Sequence, residues 1–350
     1  MQQAASATSL DTSSALHRLR KPYLLFIGDV DAAENAKTAF GIRDWAPEDA
    51  LAQWRLPGCK ADLKLPDMDA AAAAAAGARS LLIGVAPSGG QIPAHWLPAL
   101  LAAVNSGMDV VAGLHSRLNA IPELVAAADR QGVALIDVRV PPTHLTVGTG
   151  LKRSGKRLLT VGSDCALGKK YTALALVRSM QAHGLDAQFR ATGQTGILIA
   201  GQGIPLDAVV VDFASGAAEL LSPDAAPEHW DVIEGQGSLF HPAFAGVTLA
   251  LVHGSQPDAL VLCHEPSRTH ISMYPHVPIP PLDVIARRYV EAAQLTNPEV
   301  RLVGVSLNTS NLDESASAAA LDAAAALLQV PSFDPLRTTS DAVIDVLLAR

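Results

Sequence analysis

Short apolar runs alternating with stretches of helical spacing set the rhythm of this chain. In the first part the runs are YLLFIGD (23–29), SLLIGVA (80–86), DVVAGLH (109–115) and VALIDVR (133–139), with helical periodicity over 93–105 and 119–130. Strands apolar at nearly every position are covered on both faces, which predicts a parallel sheet between helices. The alanine run 70–76, stopped at Gly77, reads as a plain helix against that sheet and is too short to cross a bilayer. Residues 54–68, from WRLPGC to LPDM, read as an irregular loop. The stretch PPTHLTVGTGLKRSGKR (141–157) is rich in turn-forming residues and marks a linker. Beyond it the α/β rhythm resumes, with strands predicted at 158–162, 187–191, 207–212, 230–234, 259–263 and 301–308. Helices are predicted at 169–183, 214–221, 282–295 and 314–328. The economical solution is two α/β domains, over 21–140 and 158–350, with a ligand cleft between them.

The most specific chemistry follows the strand at 158–162. LLTVGSDCALGKKYTALALV (158–177) reads as a buried strand, a glycine-bounded loop carrying Lys169, and the opening of a helix. Backbone N–H groups and the helix dipole at such a turn favour a phosphate. The loop departs from the standard G-x-x-x-x-G-K-[ST] pattern. Five residues separate Gly162 from Gly168, and Lys170 stands where a Mg²⁺-binding hydroxyl belongs, with Thr172 two positions on. Ser163, Asp164, Gly168, Lys169, Lys170, Tyr171 and Thr172 are the predicted phosphate-side residues, in an anion cradle with doubtful ATP hydrolysis. The second domain is therefore predicted to be P-loop NTPase-like and the first Rossmann-like. Gly28 and Asp29 end the first strand, where open sheets bind ligands, but no G-x-G-x-x-G follows and no dinucleotide site is assigned.

Four further stretches carry candidate groups. VIEGQGSLFHPAF (232–244) puts Glu234 at a strand end on a glycine-rich loop, followed by Gln236, Ser238 and His241. Glu234 and His241 are the candidate bases. FRATGQTGILIAG (189–201) offers Arg190, a planar fork for a carboxylate, and a loop with Thr192 and Gln194 whose hydroxyls and N–H groups suit an anion. Asp212 ends the apolar run VVVDF. LCHEPSRTHISMYPHVP (262–278) clusters His264, Glu265, Arg268, His270 and His276. Anion binding by Arg268 suits it better than a metal, since no H-x-x-x-H lies on a convincing helix, and no metal is assigned. Asn308, ending the last long strand, carries an amide able to read an adenine edge.

Composition bounds the partners. A formal charge of −8 without any Lys/Arg-rich run argues against general nucleic-acid binding. Cys59, Cys165 and Cys263 are too far apart for a disulfide framework or a zinc pattern, which suits a reducing cytoplasm. Residues 1–20 lack an apolar stretch and read as a disordered tail rather than a signal peptide. The expected partners are a small-molecule substrate and further copies of the chain, not nucleic acid or membrane.

The order G-x-D-x-x-x-G-K, T-G, E-G-x-G and a strand ending in Asn resembles dethiobiotin synthetase-like P-loop proteins. That resemblance implies phosphates at Lys169, a substrate near Glu234 and adenine at Asn308. Over about 21–345 the chain more closely resembles a bacterial P-loop family long labelled as a domain of unknown function. The segments carrying this are GDVDAAENAKTAFGIRDW, WRLPGCKADLKLPDM, GLHSRL, GSDCALGKKYTALAL, RATGQTG, IEGQGSLFHPAF and HGSQPDALVLCHEP. That family includes D-glutamate N-acetyltransferase, which uses acetyl-CoA. The resemblance implies N-acetylation of an acidic amino acid, D-glutamate foremost, in D-amino-acid catabolism. Arg190 and Arg268 would then orient carboxylates, with Thr192, Gln194, Gln236 and Ser238 beside them and Lys60 and Lys64 closing over the site. Cys165 is an alternative acyl carrier. The competing reading is an ATP- and Mg²⁺-dependent ligase or kinase.

Overall fold

Five parallel strands organise the N-terminal half of the computed structural model, which describes residues 17–85 and 90–349. They are β1 (Tyr23–Gly28), β2 (Ala50–Arg55), β3 (Ser80–Ile83), β4 (Asp109–Ala112) and β5 (Leu135–Asp137), in the order β2-β1-β3-β4-β5. Helices α1 (Lys37–Trp45), α2 (Ala70–Ala75), α3 (Leu97–Asn105) and α4 (Pro122–Gln131) interleave with them. Strands β1, β3 and β4 are buried at every position, as continuous apolar runs require. The sequence pattern missed β2 because Gln53 interrupts it. That amide is buried yet satisfied: Oε1 accepts from Leu63 N at 2.8 Å, and Nε2 donates to Asp62 Oδ1 at 2.9 Å and Leu65 O at 3.0 Å. It ties the irregular loop back onto the edge strand.

The second sheet has six parallel strands: β6 (Lys156–Gly162), β7 (Ala187–Arg190), β8 (Trp230–Ile233), β9 (Ala259–His264), β10 (Arg301–Leu307) and β11 (Ser332–Phe333). Their order is β11-β10-β9-β6-β8-β7, so the strand feeding the phosphate loop lies between β9 and β8. Because all run the same way, the loops after β6, β7, β8 and β9 emerge on one edge. Helices α5 (Lys169–Ala182), α6 (Gln194–Ala200), α7 (Val211–Leu221), α8 (Ala245–Ser255), α9 (Leu282–Gln294), α10 (Glu314–Leu328) and α11 (Asp341–Leu348) complete this half. The strand predicted at 207–212 does not form. Its valines belong to the entry of α7, where Val210 and Val211 are exposed and Asp212 lies in the first turn. The helix buries Ala214, Ala217, Ala218 and Leu221, a spacing of three, four and seven that outweighs the β-branched run. The T-G-Q-T-G stretch likewise turns into α6 rather than remaining a loop.

Residues 17–20, assigned to the tail from sequence, are structured: His17–Arg18 pairs antiparallel with Gln202–Gly203, and Arg20 meets Asp109 at 2.5 and 2.6 Å. The rest of the predicted tail, 1–16, lies outside the described residues.

Helix α1 joins the two halves. Near its start, Thr38 and Thr195 share a hydrogen bond at 3.2 Å. At its end, Arg178 donates to Asp44 O at 3.0 Å and Trp45 O at 3.1 Å, capping carbonyls that lack helical partners. Tyr171 stacks on Trp45 at 5.8 Å between centroids, with Lys170 Nζ over Tyr171 and the Arg178 guanidinium over Trp45. This run of cations and rings makes the interface specific. Among the described residues no helix is long and apolar enough to cross a membrane.

Candidate active site

The loop after β6 wraps around its own lysine. Lys169 Nζ donates to Asp164 O at 2.7 Å, and burial pushes its pKa below the usual lysine value. No side chain caps the start of α5 at Gly168, a helix start of the kind that suits an anion. Asp164 is fully buried and acts as the loop's anchor. Its Oδ1 accepts from Cys165 N at 2.6 Å, while Oδ2 accepts from Ser272 N at 2.7 Å and Arg268 Nη1 at 3.0 Å. Ser163 Oγ lies 2.8 Å from His264 Nδ1. Tyr289 donates to Gly162 O at 2.8 Å and accepts from Leu239 N at 3.1 Å, which ties this loop to the next one.

That next loop carries Glu234 just beyond β8. Gly235 is required there, since a Cβ would fall 1.7 Å from Thr160 O and 3.0 Å from Lys169 Cδ. The Glu234 carboxylate is buried and accepts from Thr192 N at 3.0 Å and Gly193 N at 3.1 Å, at the entry of α6. Burial raises its pKa above the carboxylate range, opposed by Lys170 and by these two N–H groups. Thr192 Oγ1 donates to Glu234 O at 2.7 Å and accepts from Gln236 Nε2 at 3.0 Å.

A cavity of about 740 Å³ opens between the two halves, large enough for a small ligand. The phosphate loop from Cys165 to Tyr171, Glu234 and Gln236 line it, together with Thr195 of α6 and Lys37 of α1. Sequence reasoning passed over Lys37, Thr195 and Tyr289. Lys37 and Thr195 lie inside segments that carry the family resemblance, GDVDAAENAKTAFGIRDW and RATGQTG, but nothing in their local spacing marks them as cavity residues.

Several predicted site residues hold the fold instead of facing this cavity. Arg190 is paired with buried Asp231 at 2.5 Å, and Arg268 bridges Asp164 and Glu265, at 3.0 and 2.5 Å. Neither guanidinium lines the cavity, and each gives an N–H to a buried acid. Thr172 Oγ1 shares a 2.7 Å hydrogen bond with Ser306 in the core and is not turned to the loop as a Mg²⁺ hydroxyl would be. His241 Nδ1 accepts from Ala243 N at 3.1 Å, so the neutral ring carries its proton on Nε2, which is buried without a partner. The ring's acceptor nitrogen is therefore already engaged. It approaches Asp164 and Cys165 within 4.8 Å, close enough to ligate a cation, but the Arg268 guanidinium already occupies that carboxylate. Burial raises the Cys165 thiol pKa, which disfavours a nucleophilic thiolate. Gln194 packs toward Gly113, and Ser238 is buried with its Oγ accepting from Phe240 N at 3.2 Å. Asn308 Oδ1 accepts from Ser310 N at 3.1 Å and is not a wall of the cavity; nor are Lys60 and Lys64, the latter paired with Asp62 at 2.8 Å.

The chain belongs to the DUF1611 family. Residues 146–344 match its domain of unknown function described as a P-loop domain, and residues 54–141 match the companion described as Rossmann-like. The chain is 49% identical over 331 residues to a D-glutamate N-acetyltransferase of Tritonibacter scottomollicae, covering 95% of this chain and 99% of that protein. It is 45% identical over 327 residues to a D-glutamate N-acetyltransferase of a Pseudoalteromonas species, covering 93% and 98%. A crystal structure of a DUF1611 family protein from Anabaena variabilis ATCC 29413 superposes with a TM-score of 0.83 at 35% identity, covering 95% of this chain and all of that one.

Proposed function

We propose that this protein is an N-acetyltransferase that moves the acetyl group of acetyl-CoA to the amino group of D-glutamate, in the cytoplasmic breakdown of D-amino acids. The observation that carries the reading is a buried carboxylate, Glu234, on the wall of a cavity whose other wall is a phosphate loop. The two relatives named for that activity, aligned over nearly their whole lengths, support it. Coenzyme A brings phosphates suited to Lys169 and the uncapped start of α5, and its thioester supplies an acyl carbon open to an amine. Glu234 takes the amine's proton, and its raised pKa makes it a stronger base than an exposed carboxylate. Lys170, at the position of the usual Mg²⁺ hydroxyl, and Thr172, engaged with Ser306, favour phosphate holding over ATP hydrolysis.

The test is release of free CoA from acetyl-CoA with D-glutamate, L-glutamate or D-glutamine offered separately, with the product identified by mass spectrometry. Acetylation of D-glutamate in preference to the others is expected. CoA release only with the L- or the neutral acceptor would remove the D-glutamate assignment. ADP formed from ATP with any of them would move the protein to the ligase class.

A further inference from the structure

One cation in the cavity comes from the other half of the molecule. Lys37 opens α1 in the N-terminal domain and reaches the wall that also holds Lys170 and Glu234. Helix α1 is held at its start by Thr38 against Thr195 at 3.2 Å and at its end by Arg178, so Lys37 projects from a fixed base. Of the cavity's other charges, Asp207 pairs with Arg139 at 2.9 Å, Lys169 donates to Asp164 O at 2.7 Å, Glu234 accepts backbone N–H groups of Thr192 and Gly193, and Lys170 lies over the Tyr171 ring. Among the described residues Lys37 pairs with no carboxylate.

We propose that Lys37 binds the side-chain carboxylate of the acceptor, so that the N-terminal domain selects an acidic amino acid. The assignment rests on the acetyltransferase reading above. An amino acid whose nitrogen meets Glu234 has its α-carboxylate one carbon away, near Lys170, whose charge Glu234 senses. Its side-chain carboxylate lies farther out and needs a cation on another wall. Arg190 and Arg268 are unavailable, each already paired with buried acid. Lys37 is the remaining positive group, and the positive end of α1 adds to it.

The experiment compares Lys37→Met with wild type, using D-glutamate and its uncharged isostere D-glutamine at saturating acetyl-CoA. Losing one charge-assisted contact should lower kcat/KM for D-glutamate roughly ten- to hundredfold, mainly through KM. The D-glutamine value should change little, and Lys37→Arg should restore part of the preference. CoA affinity by calorimetry and the thermal midpoint should stay at wild-type values. A preserved preference, an equal loss for both acceptors, or a loss of CoA affinity would each overturn the assignment. A wild-type protein that acetylates no amine at all would instead remove the acetyltransferase reading, and this assignment with it.

Discussion

Lys170 and Glu234 line the same cavity and sense each other's charge, yet no ion pair joins them. Burial dominates both. It lowers the lysine and raises the carboxyl, so each is biased toward its neutral form, and the opposite charge offsets only part of that. Such opposed shifts are what a proton exchange with a bound amine calls for.

The pH profile follows from that bias. A base works only when deprotonated, so the rate should fall as pH drops through the raised Glu234 value, above the ordinary carboxylate range. Lys170→Met removes the charge that holds this pKa down, and the acidic limb should move to higher pH. Rates across pH with both proteins decide it; a limb at the usual carboxylate value in each would exclude Glu234 as the base.

Glu234→Gln separates chemistry from stability. The rate should fall by about 10²–10⁴, the usual contribution of a positioned base, with CoA affinity retained. A carboxyl whose folded pKa is raised stabilises the fold below its unfolded pKa, and that contribution is lost as pH rises through the folded one. The neutral amide escapes that loss, so the variant's thermal midpoint should exceed wild type at neutral and higher pH.

Arg190 yields the opposite pattern. Its partner Asp231 is buried, and removing the guanidinium strips that carboxylate of its 2.5 Å ion pair and leaves it the His229 ring at 3.2 Å. Arg190→Ala should cost about 3 kcal/mol of stability by denaturant unfolding. KM for the acceptor in the remaining folded protein should be unchanged, and a selective rise would return Arg190 to the substrate site.

The contrast between these residues marks what the sequence could convey. Helix α10 and the strand feeding the phosphate loop were legible because apolar spacing and glycines are local signals. Glu234 was legible for the same reason, as a carboxylate closing an apolar strand before two glycines. The arginines were misread because what occupies them lies far along the chain: Asp231 is 41 residues from Arg190, and Asp164 is 104 from Arg268. Local pattern showed each as a free cation after a strand. His241 failed differently, since its tautomer depends on the backbone N–H of Ala243. Lys37 lay inside a segment that carries the family resemblance, yet its place in the cavity was not legible, because it depends on how α1 packs against the other domain.

Lys169→Ala should weaken CoA binding by roughly 1.5–3 kcal/mol, the value of a hydrogen bond to a charged group. The same substitution removes the donor to Asp164 O, so the unfolding midpoint should be measured alongside. Unchanged calorimetric affinity in a folded variant would take Lys169 out of the phosphate site.

Gly196→Ala is the most direct test of the Glu234 geometry. Gly196 lies within α6, where alanine would ordinarily be favoured by about 1 kcal/mol. Its backbone is not in the left-handed region, so helix conformation alone raises no objection. The obstacle is the carboxylate: a Cβ would fall 2.2 Å from Glu234 Oε2 and 3.0 Å from Cδ. One of the two must move, and the side chain can swing aside more cheaply than the helix. Doing so breaks its bonds to Thr192 N and Gly193 N, which fix the carboxylate in the cavity. The expected outcome is a folded protein with near wild-type CoA affinity and a rate lowered about as far as in Glu234→Gln. Wild-type turnover in this variant would mean that the observed carboxylate position is not the working one, and a different group would have to accept the proton.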